Sequence, residues 1–275
     1  MSLAFCSFSS GSSGNCYMVK TDSTAVLIDA GISAKRILTE LERTDTPHEN
    51  VKALFLTHEH HDHVTGARVL LKKIKDACVY GSSGTLFETR RRDAYKELSF
   101  GNEIAEKRQI TIAPDEIVNV GDITVRAFRT LHDAEEPYGY SISDENKRIA
   151  LVTDTGAMTE EMLENIADAD VLVLEANHDT EILRQGSYPA YLKKRILGDH
   201  GHLSNRQAAE VLLTLFRYFD KKRIVLLAHL SAENNTPAIA ERTVLTALAR
   251  EGRYTGSDLY MGVLLRDEAS LLYRL

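Results

Sequence analysis

The stretch Thr57-His58-Glu59-His60-His61-Asp62-His63 decides the reading of this chain. It follows the apolar run Ala53-Leu54-Phe55-Leu56, which reads as a buried strand. A helical pattern from Val64 to Ile74 comes directly after it. The histidines are therefore expected in a tight loop at the carboxyl end of a strand, where α/β proteins place chemistry. His58, His60 and His63 offer imidazole nitrogens and Asp62 offers carboxylate oxygens. Both donor types suit zinc or another divalent transition metal. Four potential ligands between residues 58 and 63 are too many for one open ion that must keep a water. The spacing points to two ions, with His58 and His60 on one and Asp62 and His63 on the other. The plain alternative is a solvated His-rich loop, but short His-rich tracts favour metal.

Outward from this loop, composition narrows the class. The chain has 275 residues, enough to bury a full core, and a net charge of −7. That charge argues against a wholly basic nucleic-acid binder and leaves room for a local basic groove. Three cysteines, Cys6, Cys16 and Cys78, show no C-x-x-C spacing. Reduced thiols in a cytoplasmic protein are expected rather than a disulfide framework. Met1 to Phe5 lacks the basic and apolar regions of a signal peptide, and no run approaches a membrane span.

Further strand ends carry further candidates. Val26-Leu27-Ile28 ends at Asp29, Ile123 to Thr130 delivers His132, Arg148 to Val152 leads to Asp154, and Ile224 to Ala228 leads to His229. H-x-H-x-D-H followed by Gly66 resembles the signature of the metallo-β-lactamase superfamily, and Asp29, His132, Asp154 and His229 match its other motifs in order. The resemblance implies a four-layer αβ/βα sandwich forming one domain over residues 1–275. It implies one ion on His58, His60 and His132 and a second on Asp62, His63 and His229, with Asp154 bridging. Asp29 is then a residue that orients the metal loop, not a ligand. Zinc, manganese and iron all suit this donor set. Histidine at position 60, where oxygen-reducing di-iron relatives usually carry glutamate, implies hydrolysis.

Two segments refine the resemblance toward a YycJ-like exonuclease branch: the opening Ser9-Ser10-Gly11-Ser12-Ser13-Gly14-Asn15, and His132-Asp133-Ala134 continuing to Pro137-Tyr138-Gly139-Tyr140. Composition alone reads the first as a flexible hairpin loop. The resemblance places Asn15 near the metal centre as a polar contact to substrate rather than a ligand, and the loop's small residues and backbone amides suit a terminal 5′-phosphate. Asp133 stays open between a partner for an imidazole and a turn residue. Glu175, ending the strand Val171 to Leu174, and His202, in Gly201-His202-Leu203-Ser204-Asn205, resemble the glutamate–histidine arrangement of tRNA 3′-processing phosphodiesterases. His202 would then serve the leaving group with Glu175 holding it, and Asp62 would orient the attacking water shared by two ions. Without that resemblance, His202 reads as a helix-entry residue and Glu175 as a loop end. His178 is a weaker candidate for substrate contact.

The interval from Asp154 to His229 is filled by these segments, so no inserted nucleic-acid clamp domain is expected. Phosphate contacts would fall to Arg90-Arg91-Arg92, Lys193-Lys194-Arg195 and Lys221-Lys222-Arg223, which otherwise read as solvated faces. The expected activity is a binuclear metal phosphodiesterase, a 5′-to-3′ exonuclease acting on DNA ends. The alternatives are a hydrolase of a thioester or small or cyclic phosphodiester, and a metal-binding regulator without turnover. The sequence names no protein partner.

Overall fold

The computed structural model describes residues 2–91, 104–219 and 221–275. Six strands open the chain: β1 (Ala4–Ser9), β2 (Cys16–Lys20), β3 (Ala25–Ile28), β4 (Val51–Phe55), β5 (Cys78–Gly81) and β6 (Gln109–Thr111). Seven more follow: β7 (Ile117–Val120), β8 (Ile123–Arg129), β9 (Tyr138–Ser143), β10 (Arg148–Val152), β11 (Val171–Glu175), β12 (Arg223–Ala228) and β13 (Leu259–Val263). The chain then returns with β14 (Tyr273–Arg274), which pairs with β1. This gives two seven-stranded mixed sheets, ordered β14-β1-β2-β3-β4-β5-β6 and β13-β12-β11-β10-β9-β8-β7.

Alternation along the strands builds the layers. Ala53 and Phe55 of β4, and Val171 and Val173 of β11, enter the core between the sheets. Leu54 and Leu56 turn to the opposite face, against Ile37 and Leu41 of α1 (Ala34–Arg43). Leu172 and Leu174 meet Met162 and Ile166 of α5 (Glu160–Ile166), Leu212 and Leu215 of α8 (Asn205–Tyr218), and Val244 and Leu248 of α9 (Pro237–Arg250). Three cores separate four layers, which is the αβ/βα sandwich. Each buried Leu, Val or Phe contributes roughly 1.5–3 kcal/mol as an upper estimate.

The metal loop is fixed at its root by the facing sheet. Phe55 stacks on Tyr80 with centroids 4.7 Å apart and meets Tyr140 edge-on at 5.4 Å. Tyr140 Oη donates to Leu56 O at 2.5 Å, and Tyr138 N donates to Thr57 O at 2.8 Å. After the loop, the single helix expected from Val64 to Ile74 is instead two short ones, α2 (His61–Val64) and α3 (Ala67–Leu71). Gly66 lies between them, its amide on Ala30 O at 2.7 Å. A β-carbon there would sit 1.9 Å from Ile32 O, so only glycine lets the chain pass.

Other expectations shift as well. The helix from Ser82 toward Tyr95 is α4 (Ser83–Arg91), and Arg92 lies outside the described residues. Two helices between Glu175 and His202, α6 (Thr180–Gln185) and α7 (Ala190–Ile196), were not expected. Among the described residues no helix is long and apolar enough to cross a membrane.

Candidate metal centre

The strands bring their carboxyl ends together at one edge of the sandwich. β3 ends before Asp29, β4 before the His58–His63 loop, β8 before His132, β10 before Asp154, β11 at Glu175 and β12 before His229. Three of the five non-glycine residues with left-handed backbone, among the described residues, are Asp29 (φ 59°), Asp154 (φ 57°) and His229 (φ 56°). Such backbone costs roughly 1–2 kcal/mol per residue. It turns the chain sharply off the strand at the site.

The buried imidazoles of His58, His63, His132 and His229 are each oriented through Nδ1. Thr57 Oγ1 donates to Asp29 Oδ2 at 2.8 Å and lies 3.0 Å from His58 Nδ1, from which it accepts. Asp29 also accepts from Thr57 N at 2.8 Å and from His63 Nδ1 at 2.7 Å. His132 Nδ1 donates to Gly201 O at 3.1 Å. His229 Nδ1 donates to Glu175 Oε1 at 2.8 Å. These partners fix the tautomers, so Nε2 of His58, His63, His132 and His229 is left to hold a metal.

The donor atoms assemble into sets whose members lie within 4.8 Å of one another: His58, His60 and His132; and Asp62, His63 and His229. Asp154 belongs with His58 and His63, and also with Glu175, His202 and His229. Its Oδ2 is 3.4 Å from His63 Nε2 and its Oδ1 is 3.8 Å from His132 Nε2, so it stands between the two sets. His58 Nε2, His229 Nε2 and Asp154 Oδ2 are buried without hydrogen-bond partners among the described residues. Each such atom costs roughly 1–3 kcal/mol when unpaired. Three converging orphans in a histidine–carboxylate cluster fit divalent metal ions, and divalent metal use is what this arrangement supports.

Charge divides the cluster. Burial, then neighbouring imidazoles, lowers His58 well below its ordinary range, and lowers His60 to about 4. Burial likewise lowers His132. Burial would also lower His63, but Asp29, Asp154 and Asp62 outweigh it and raise His63 well above the ordinary range. His229 is raised to about 10, against burial, by Asp154, Asp62 and Glu175. Asp62 and Glu175 are held below the usual carboxylate range, with histidines overcoming the effect of burial in both cases.

Glu175 is fully buried and doubly committed. Its Oε1 accepts from His202 Nδ1 at 2.8 Å and from His229 Nδ1 at 2.8 Å. Its Oε2 accepts from Thr155 N at 3.0 Å and Leu203 N at 3.2 Å. His202 is partly exposed, with its ring 5.0 Å from His132 and 5.3 Å from His229.

Several expected contacts move. Asn15 is buried, its Nδ2 3.1 Å from His63 Nε2 and 3.1 Å from Gly11 O. His178 is 1% exposed, and among the described residues neither ring nitrogen has a hydrogen-bond partner and it joins none of the metal-binding sets. Asn15 thus lies beside the ligand cluster as a polar contact, and both Asn15 and His178 are buried. The Ser9–Asn15 loop is not an open amide cradle either. Ser10 N, Gly11 N, Gly14 N and Asn15 N all bond within the protein, leaving the amides of Ser12 and Ser13. Asp133, left open by the sequence, sits on the rim: Oδ1 is 3.3 Å from His132 Nε2 and Oδ2 pairs with Arg195 Nε.

The basic stretches separate. Lys221 pairs with Asp168 and Asp170, and Arg223 is buried at the amino end of β12. His229 is at the other end of that strand, roughly 20 Å away at about 3.3 Å per residue. That stretch is at the wrong end of the sheet to touch a substrate in the metal centre.

Fold and site together define a metal-dependent hydrolase. Residues 24–230 match the family model described as a β-lactamase superfamily domain, and the chain belongs to that superfamily. Relatives include exodeoxyribonuclease YycJ of Bacillus anthracis, 36% identical over 252 residues, 92% of this chain and 91% of the relative. Exodeoxyribonuclease WalJ of Streptococcus pneumoniae serotype 2 is 36% identical over 250 residues, 90% of this chain and 89% of the relative. The crystal structure of the metallo-β-lactamase fold protein YhfI from Bacillus subtilis aligns with a TM-score of 0.71 over 100% of both chains, at 15% identity, a likeness of fold. The chain is thus a metallo-β-lactamase-fold hydrolase homologous to proteins named exodeoxyribonucleases.

Proposed function

We propose that this protein is a binuclear metal-dependent phosphodiesterase that shortens DNA from the 5′ end. The observation that carries the reading is the shared carboxylate: Glu175 Oε1 holds His202 beside the metal-binding sets while also holding His229. Identity of 36% over nine-tenths of the chain to exodeoxyribonucleases supports DNA as substrate over a thioester or a small phosphodiester. His58, His60 and His132 would hold one ion and Asp62, His63 and His229 the other, with Asp154 serving both. Such ions supply Lewis acidity to the phosphoryl oxygen and acidify water. Zinc, manganese and iron are the candidates the donors suit.

The chain's own groups divide the remaining work. Asp62 Oδ2, 3.6 Å from both His63 Nε2 and His229 Nε2, is accessible enough to orient the attacking water. His202, with Nδ1–H committed to Glu175, would need a second proton on Nε2 to donate it to the leaving oxygen as general acid, leaving the neutral ring behind. Glu175 orients the ring and balances the positive charge of that doubly protonated form. The three cysteines are unpaired, which supports a reducing, cytoplasmic setting. The test is incubation of metal-loaded protein with linear and closed circular DNA. Linear DNA should shorten from its ends and circles should survive, with the rate falling as salt rises. Equal cutting of both, or hydrolysis of a thioester with DNA untouched, would sink this reading.

A further inference from the structure

Helix α7, Ala190-Tyr191-Leu192-Lys193-Lys194-Arg195-Ile196, buries none of its residues. A helix without a buried face is held by its ends. At one side Lys193 Nζ donates to Arg184 O at 2.8 Å and Gly186 O at 2.6 Å. At the other, His202 N donates to Ile196 O at 3.0 Å. A β-carbon on Gly201 would lie 2.2 Å from Ile196 O, so that junction is close-packed backbone. The helix is therefore fastened to the strand-end segment that carries His202 and whose Gly201 O orients His132.

Its outer face is chemically specific. Tyr191 is 75% exposed and Arg195 half-exposed. Tyr191, Lys194 and Arg195 stand at i, i+3 and i+4, so their side chains share one face. Arg195 Nε is paired with Asp133, whose other oxygen is 3.3 Å from His132 Nε2, which sets Arg195 at the rim of the metal centre. Tyr191 and Lys194 have no hydrogen bond, ion pair or ring contact among the described residues. Asp133 is the acid paired on this face, while Glu181 is paired with Arg184. Lys221 and Arg223, by contrast, are spent on the protein at the far end of the sheet.

We infer that this face of α7 is a platform for single-stranded nucleic acid entering the metal centre, with a base stacked on Tyr191 and phosphates on Lys194 and Arg195. The inference rests on the nuclease reading above. An exposed aromatic with cations one turn away on the same face is the recurrent chemistry of single-strand binding, and it is sequence-tolerant because every base has a π-face. Continuity with His132 through Asp133 makes the strand, rather than a protein partner, the occupant. The close-packed junction at Gly201 keeps platform and site in fixed relation, so a strand seated on one is aimed at the other.

The test uses the full chain with Tyr191→Ala, Tyr191→Phe and Lys194→Glu, each checked for an unchanged circular dichroism spectrum. Anisotropy of a short fluorescent single strand, with chelator present, reads binding without cleavage. Hydrolysis of bis(p-nitrophenyl) phosphate reads the metal centre alone. Tyr191→Ala and Lys194→Glu should each weaken strand binding about tenfold, Tyr191→Phe should bind like the parent, and all three should hydrolyse the small diester within about twofold of it. Lys194→Glu should also lower the salt slope by about one. Unchanged binding in Tyr191→Ala and Lys194→Glu, from a parent that degrades DNA, overturns the platform and leaves the nuclease reading intact. Parallel loss on the small diester also overturns it, because the helix would then only support the site. A parent that hydrolyses the diester but neither binds nor degrades DNA fails the nuclease reading itself.

Discussion

The two halves of the metal centre are built from the same residue types and behave as opposites. Burial lowers His58, His60 and His132; neighbouring imidazoles add to it at His58 and His60, and at His132 it outweighs Asp154 and Asp133. His63 and His229 surround themselves with carboxylates, which raise His63 well above the ordinary range and His229 to about 10. The first half presents lone pairs ready for a cation. The second presents ion pairs that must give up protons first. Histidine count alone therefore says little about how readily a half fills; the carboxylates behind it decide.

The harshest way to break the contrast is to remove the residue both halves share. Asp154→Ala should abolish turnover and lower metal content in both halves, measured by elemental analysis per chain. Two ions retained at full occupancy would show that Asp154 bridges nothing. Next comes the seam between the halves. His202→Ala should keep its metals and lose turnover by roughly 10²–10⁴-fold. Loss of metal in that variant would make His202 a ligand, and near-normal turnover would return it to a structural role.

A third prediction sharpens the contrast by pH. His229 is raised to about 10, so at neutral pH a metal entering its half displaces that proton. Because His63 is raised as well, the second equivalent should tighten by more than the roughly tenfold per pH unit that His229 alone would give as pH rises from 6 to 8, and the first should change little. Competition titrations against a chelator read both, and equal slopes would erase the distinction. The smallest effect is on the metal-free fold. His60 has a folded-state pKa of about 4 against an ordinary 6.5, so the unfolded chain binds its proton first. Stability should fall by on the order of 2 kcal/mol as pH drops from 6.5 toward 4, and His60→Asn should flatten that limb. His229 works in the other direction, stabilising below pH 6.5 and losing that contribution as pH rises through about 10. Denaturant melts across pH would expose an unchanged acid limb in His60→Asn, contrary to this.

Much of this was readable along the chain because the ligands follow apolar strands directly. Leu54 to Leu56 announces the His58 loop, and the runs before Asp154 and His229 do the same, so the strand-end candidates come from local pattern, while the four layers and the grouping of ligands come from the family resemblance. What escaped is through-space or short. Gln109–Thr111 and Ile117–Val120 are too brief and too exposed to carry a period. The helix α7 has no buried stripe to betray it. The break at Gly66 comes from Ile32, thirty-odd positions upstream. Basic stretches look alike in sequence, and only the direction of β12 puts Lys221 to Arg223 far from the metals. That Glu175 holds His229 as well as His202 depends on two strand ends meeting, which no spacing encodes.

The left-handed backbone at Asp29, Asp154 and His229 has a consequence for anyone hardening this scaffold against heat. Glycine at Asp29 or His229 would relieve about 1 kcal/mol of strain but strip buried hydrogen bonds, whereas at Asp154 it would relieve strain and remove an unpaired buried oxygen. A laboratory lineage selected for thermal survival alone would drift toward replacing Asp154 and arrive at a sturdier, inert protein. Selection at these positions has to score catalysis and survival together.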